Sequence, residues 1–299
     1  MNFNYTQKIQ FNLGIKFLLY VPLNHLKKFK MKNEGKIAIL GGGNMGMSLA
    51  KGLVKAGKYD KEQIYLTRRR KRNIDKIIEE GYTASNNNAE AVRDAKIIVL
   101  CVLPQTLNEV LDEIRDEITH EQLIISVISG VDTQDIKDYL QMNIPVVKAM
   151  PNTAIAIQQS MTCIAAKTAN HSFIEITDDL FQTVGDTVII DESQMTAATA
   201  LCACGIAFFL RSIRAATQGG TEIGFHSHDA LKMAVQTSLG AAALLQKNNS
   251  HPEDEIDRVT SPKGCTIAGL NEMEHQGFSS ALIKGIITSN DKAGKLYKD

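Results

Sequence analysis

The sequence predicts an α/β domain with a doubly wound parallel sheet, residues 36–191, followed by an all-helical domain, residues 192–299. Three observations carry this expectation. From residue 36 to about 149, short apolar runs alternate with amphipathic helical stretches, the rhythm of a parallel sheet covered by helices. The runs are continuous in Ile and Val instead of alternating with polar residues, which marks strands buried on both faces. After Asp191 the texture changes to long, Ala-rich segments without a period of two.

The elements follow in order. Strands are expected at 37–40, 64–67, 97–102, 123–126 and 146–149, with helices between them at 45–56, 70–80, 107–114 and 133–140. Two further strands, 162–166 and 187–190, flank a helix around 174–183 and extend the same sheet. The second domain reads as helices at 195–216, 229–246, 252–258, 266–275 and 279–296. Its first helix carries an apolar span, 197–210, shorter than the roughly twenty residues that cross a bilayer. That span reads as a helix buried all round, with another subunit supplying part of its cover. Residues 1–35 differ: they are rich in Asn, Lys and aromatics, and their apolar run, 17–21, is interrupted by Pro22. The run is too short for a membrane span and lacks a small-residue cleavage site. The segment is read as a poorly ordered extension or an upstream start, with the domain proper beginning near Met31.

Composition narrows the function. Lys plus Arg and Asp plus Glu both number 33, so the chain has no net field to attract nucleic acid. Hydrophobic residues at 44% and charged residues at 22% are those of a soluble globular protein, with no membrane partner expected. The five cysteines are odd in number and scattered, which fits reduced thiols in the cytoplasm better than a disulfide framework.

The first strand runs directly into Gly41, Gly42, Gly43, Asn44, Met45 and Gly46, and then a helix. This is G-x-G-x-x-G with a strand before it and a helix after it. Gly41 makes the tight turn, Gly43 lets a pyrophosphate approach the backbone, and Gly46 lets helix and strand pack closely. The end of the second strand chooses between the two nicotinamide dinucleotides. An acid there would hold a ribose 2′-hydroxyl; instead the chain offers Thr67, Arg68, Arg69 and Arg70. A guanidinium matches the fork of a 2′-phosphate, so NADPH is expected, with NADH possible as a second cofactor. Arg68 and Thr67 stand nearest the strand end, and Arg70 reads as a solvated residue opening the next helix.

Late in the chain, Ser261, Pro262, Lys263, Gly264, Cys265 and Thr266 place a turn in front of a helix start. The first N–H groups of a helix have no partner within it, and the macrodipole makes that end partly positive. Such a junction suits a carboxylate or a phosphate; it is also a common way to cap a helix.

Together with the glycine turn and Met150-Pro151-Asn152-Thr153, the late segment, 259–266, makes the chain resemble pyrroline-5-carboxylate reductases. The resemblance runs from residue 36 to about 296 and takes in Val102-Leu103-Pro104-Gln105 and Ser129-Gly130-Val131, where that family has cofactor-side loops. It implies a Rossmann-like domain followed by a helical domain that dimerises, with each active site built at the interface. It implies NADPH-linked reduction of the cyclic imine 1-pyrroline-5-carboxylate to proline, the last step of proline biosynthesis. Ser261 to Thr266 would then bind the substrate carboxylate. Thr266 would hydrogen-bond the ring nitrogen, in a positioning or water-relay role, because a Thr hydroxyl is too weak an acid to act alone. Val102, Pro104, Met150 and Asn152 would lie on the cofactor side.

Several positions depart from the family pattern. Leu103 stands for the usual Lys and Lys148-Ala149 for the usual Arg. Cys202-Ala203-Cys204-Gly205 replaces a Ser/Gly-rich stretch, and Lys263 replaces a second Gly. These keep open a divergent member with a regulatory role, or one acting on a different small imine or hydroxy acid; for the last the helical domain shows no clear catalytic lysine, with Lys232 left open. Cys202-x-Cys204 lacks metal spacing, and His226-x-His228 lies in a turn between helices with Asp229 as a cap, so no metal is expected.

Overall fold

The computed structural model describes residues 35–167 and 171–294. The expected extension with its apolar run, and the last residues of the final expected helix, lie outside the described residues. Strand β1 (Lys36–Leu40) leads into helix α1 (Asn44–Lys55), and the alternation continues through β2 (Ile64–Thr67), α2 (Lys71–Glu79), β3 (Thr83–Ser85) and α3 (Asn88–Arg93). It goes on through β4 (Ala95–Leu100), α4 (Leu107–Ile114), β5 (Leu123–Ser126), α5 (Thr133–Leu140) and β6 (Val146–Met150). Strand β7 (Ser160–Ala165), helix α6 (His171–Phe181) and strand β8 (Gly185–Ile189) complete one sheet, ordered β3-β2-β1-β4-β5-β6-β7-β8.

From β3 to β6 every pairing is parallel, and Ile37 lies opposite both Ile64 and Ile97. The last two strands do extend the sheet as expected, but β7 runs antiparallel to β6. The reason is the connection. A parallel neighbour needs a crossover of a dozen or more residues, whereas β6 and β7 are joined by a single 3-10 turn at Thr153–Ile157. The continuous apolar runs find their explanation in two cores. Ile37 and Ile39 face Leu49, Leu53 and Phe181 on one side of the sheet, while Ala38 and Leu40 face Leu107, Leu111 and Ile136 on the other.

Strand β3 and helix α3 escape the sequence pattern. The first is a three-residue polar edge strand with no fully buried residue, and the second is short. What starts α3 is a cap, the Asn87 Oδ1 accepting from the Glu90 N–H at 3.0 Å.

Beyond β8 the chain is helical: α7 (Met195–Ala198), a π-helical turn at Thr199–Cys204, α8 (Gly205–Glu222), α9 (Ser227–Asn248), α10 (Pro252–Val259), α11 (Cys265–His275) and α12 (Phe278–Ala293). The expectation that 197–210 is buried all round is corrected within the single chain. Ala198, Thr199 and Ala200 are buried, but Phe209 and Leu210 are 61% and 59% exposed. Helix α8 has α9 as its main neighbour, which leaves its other faces uncovered. The helical stretch Glu192–Glu222 is, by length and composition alone, long and apolar enough to cross a membrane, longer than the span read from the sequence.

Candidate active site

The glycine turn is built as its residue types require. Gly41 has φ +108°, and a Cβ there would meet the Cys101 carbonyl oxygen at 2.4 Å. A Cβ on Gly46 would lie 2.3 Å from the Gly41 carbonyl oxygen, so α1 approaches the strand end only with glycine at that position. Buried Thr67 holds the turn from β2: Gly42 N–H donates to its carbonyl at 2.7 Å, and Gly41 N–H to its Oγ1 at 3.3 Å. Helix α1 then starts at Asn44 and Met45 with no side-chain cap and no acid in its first turn. Its N–H groups are left to an anion, the arrangement that binds a pyrophosphate.

Beside this turn lies a cleft of about 430 Å³ lined by Gly41, Thr67, the three arginines 68–70 and Val102, with Asn73, Asn86 and Asn88 on its polar side. The Nε of Arg68 is buried with no hydrogen-bond partner. A buried donor left unsatisfied is costly, and here it belongs to the guanidinium nearest the strand end. Arg68 Nη1 also comes within 3.4 Å of where a Gly43 Cβ would stand, so a side chain at Gly43 would crowd it. These features fit a nicotinamide dinucleotide: glycines leave the cradle open for the pyrophosphate, and Arg68 has free capacity for a 2′-phosphate. Arg69, by contrast, is engaged in an ion pair with Glu109 of α4. Arg70 lines the cleft and is the N-cap residue of α2, as its place in the sequence suggests.

The remaining cofactor-side candidates divide. Val102 lines the cleft, as does exposed Leu103, while Pro104 opens the 3-10 turn Pro104–Thr106 that leads into α4. Met150 is buried in a small core with Cys163, Ala165 and Met195, so its side chain packs instead of lining the cleft. Asn152 braces its loop. Its Oδ1 accepts from Ala154 N–H at 3.0 Å, its Nδ2 donates to the Cys202 carbonyl at 3.2 Å, and its own N–H donates to Ser160 Oγ at 3.0 Å. Met150 thus packs beneath the loop that Asn152 braces.

The structure adds supports that the sequence did not reveal. Lys148, almost fully buried in β6, donates its Nζ to the Val131 carbonyl and lies 3.9 Å from Asp132 Oδ1. Burial lowers its pKa, against the opposing pull of Asp132, Glu192 and Asp135. Glu192 accepts from Thr133 N–H at 2.6 Å and Thr133 Oγ1 at 2.7 Å, tying the start of the helical run to the start of α5. Neither contact has a local sequence signal, because each partner comes from a distant element.

The second candidate loop closes as a tight turn, Gly264 N–H donating to Ser261 O at 2.9 Å. A Cβ at Gly264 would lie 2.5 Å from Ser261 Oγ. Lys263 takes the left-handed conformation, φ 58°. Helix α11 begins at Cys265 and Thr266 with no side-chain cap and no acid in its first turn, so this end too is open to an anion. Ser261, Pro262, Lys263 and Cys265 are exposed and Thr266 is half-buried. The cleft at the glycine turn takes in none of the residues 261–266.

No group of three His, Cys, Asp or Glu side chains gathers among the described residues. His226 is the N-cap residue of α9, and His228 pairs with Asp229. Cys101 lies beneath the glycine turn, and burial pushes its thiol up to about 12.

Residues 192–296 match the family described as pyrroline-5-carboxylate reductase dimerisation, and residues 36–130 match NADP oxidoreductase, coenzyme F420-dependent. The chain is 46% identical to pyrroline-5-carboxylate reductase 2 of Dictyostelium discoideum, over 89% of this chain and 94% of that protein. The chain belongs to the pyrroline-5-carboxylate reductase family. It is 50% identical to pyrroline-5-carboxylate reductase 1 of the same organism over 90% of its own length, and spans about half, 51%, of that longer protein. Among solved structures it is similar to the pyrroline-5-carboxylate reductase of Coxiella burnetii, 26% identical with a TM-score of 0.79 over 89% of this chain and all of that one. The Plasmodium falciparum pyrroline carboxylate reductase, solved with NADP bound, shares the fold with a TM-score of 0.82 at 24% identity, over 89% of this chain and 100% of that one. The exposed apolar residues of α8 and α9 lie within the region that matches the dimerisation family.

Proposed function

We infer that this chain reduces 1-pyrroline-5-carboxylate to proline with a nicotinamide dinucleotide, acting as a homodimer or larger homo-oligomer. The observation that carries the reading is a pair of uncapped, acid-free helix starts, at α1 and α11, within a pyrroline-5-carboxylate reductase chain. One start suits a pyrophosphate and the other a small carboxylate.

When bound, the dinucleotide supplies the hydride, so no protein nucleophile is needed. The chain's own residues bind and orient. Gly41, Gly43 and Gly46, with the first N–H groups of α1 at Asn44 and Met45, hold the pyrophosphate. Arg68 holds a 2′-phosphate, for which its unpaired Nε is the support, and this favours NADPH. Thr67 fixes the turn, and Val102 forms one wall. At α11 the N–H groups of Cys265 and Thr266 receive the carboxylate, and Lys263 adds positive charge beside it. Fixing one end of a small ring is what an aligned transfer requires. The Thr266 hydroxyl hydrogen-bonds the ring nitrogen and orients it or relays a proton from water. Because residues 261–266 lie outside the cleft of their own chain, the loop that faces each cofactor comes from the partner copy. The odd number and scatter of the five cysteines support a reducing compartment such as the cytoplasm.

The test is an assay of purified protein with pyrroline-5-carboxylate, following oxidation of NADPH and of NADH and the appearance of proline. Arg68→Ala should raise the KM for NADPH several-fold or more and leave that for NADH nearly unchanged, since about 1.5–3 kcal/mol attaches to a hydrogen bond with a charged group. Equal losses would remove the basis for the cofactor preference. Normal dinucleotide binding without proline formation would instead favour a regulatory member of the family.

A further inference from the structure

Cys163 lies within β7 and is buried; Cys202 lies in the π-helical turn that joins α7 to α8 and is half-exposed. Their sulfurs are 3.7 Å apart. The two residues are far apart in sequence, and two sets of contacts hold them together. Cys202 packs against the small core of Met150, Cys163, Ala165, Met195 and Ala198, and its carbonyl accepts from Asn152 Nδ2 at 3.2 Å. The turn carrying Cys202 is thus fastened to the sheet beside Cys163. No other pair of cysteine sulfurs among the described residues is brought into such contact.

We propose that Cys163 and Cys202 form a reversible redox site, at which a hydroperoxide oxidises the two thiols to an intramolecular disulfide. Cys202 is the attacking residue because it alone of the pair reaches solvent. The two sulfurs share a hydrogen bond, which holds Cys202 below the ordinary thiol range while Cys163 is pushed up. The thiolate attacks the terminal peroxide oxygen; an S–O bond forms, the O–O bond breaks, and water or an alcohol leaves after taking up a proton. Cys163 then attacks the sulfenic sulfur of Cys202; the S–S bond forms, the S–O bond breaks, and hydroxide leaves as water with the Cys163 proton. In total two thiols lose two electrons to one hydroperoxide, and with hydrogen peroxide two waters form. Closing the bridge brings the sulfurs from 3.7 Å to about 2.05 Å, and covalently joins the sheet to the start of the helical run. A thiol donor reverses it by exchange.

The experiment treats the full-length, reduced protein with hydrogen peroxide, counts free thiols, and maps peptides without reduction. The expected result is loss of two of the five thiols, a linked peptide pair containing Cys163 and Cys202, and full recovery of thiols with dithiothreitol. Cys202→Ser should keep all its remaining thiols under the same treatment, and Cys163→Ser should yield a trapped sulfenic acid at Cys202 in place of the link. Linkage of Cys202 to Cys204, to Cys265 or to a second subunit would overturn the proposal. So would oxidation that spares both residues. The mapping of the unsubstituted protein decides the matter even if a variant does not fold.

Discussion

Lys263 carries a backbone angle, φ 58°, that an L-residue with a Cβ adopts at a cost of about 1–2 kcal/mol. It also stands two residues before the open start of α11 and carries a positive charge. These two properties separate in one substitution. Lys263→Gly relieves the strain, so it should leave stability unchanged or raise it by up to about 1 kcal/mol, while removal of the charge raises the KM for the substrate carboxylate. Urea unfolding and steady-state kinetics read the two effects independently, and a lower stability would contradict the strain argument.

Glu117 offers a second test at this scale. Its hydrogen bond from Arg93, at 2.9 Å, holds its carboxyl below the ordinary 4.5. The unfolded chain therefore takes up the proton first as the pH falls. The contribution of this pair is complete above the unfolded value, and is lost as the pH drops through the folded one. Glu117→Gln should flatten that part of the stability profile below about pH 5, followed by urea unfolding at each pH; an unchanged slope would count against it. Legibility at this scale followed locality. The needs of Gly41 and Gly46 are set by their own turn, and residue type alone picked out Arg68. That Arg69 pairs with Glu109, and that Asn152 braces Ala154 and Cys202, depends on neighbours contributed by other elements.

Helix α1 shows what an element must do to hold the site. It supplies the open N-terminus, and it is seated by Gly52 against the turn Thr153–Ile157. A Cβ at Gly52 would lie 2.6 Å from the Ile155 carbonyl oxygen and 2.9 Å from Val184 Cγ1. Gly52→Ala should destabilise the protein by about 1–3 kcal/mol and weaken dinucleotide binding, because the helix must shift to make room. Thermal unfolding and a titration with NADPH would show both, and a variant of unaltered stability would mean that α1 seats differently. Central strands were legible because burial on both faces demands continuous apolar residues. The edge strand β3 has no such demand, so it left no pattern. The reversal of β7 was hidden for another reason: periodicity marks a strand, and only the short 153–157 connection gives its direction.

In the whole molecule, the apolar surface of α8 and α9 outlasts the folding of the single chain. Phe209 and Leu210 on α8 stay exposed, as does Leu239 on α9. They lie within residues 192–296, which match a dimerisation family, and a second copy of the chain is the cover proposed for them. Phe209→Asp should therefore spare the fold of the chain and weaken the dimer. Loss of one buried aromatic contact is worth about 1.5–3 kcal/mol, or roughly tenfold or more in the dissociation constant. Sedimentation equilibrium measures it, with activity expected to fall in parallel. A dimer of unchanged strength would place the interface elsewhere.

The sequence by itself determined the strand–turn–helix cradle, the arginine beside it, the open start of α11 and the positions of most strands along the chain. Each of these rests on residues adjacent along the chain, where backbone conformation and periodic burial are decided. Only the tertiary structure decided that β7 reverses, that Asn152 and Met150 face inward, and that Cys163 meets Cys202. It also decided that the 261–266 loop stays outside its own chain's cleft. Those outcomes depend on which distant side chains compete for the same space and the same hydrogen bonds, a competition settled only when the elements pack.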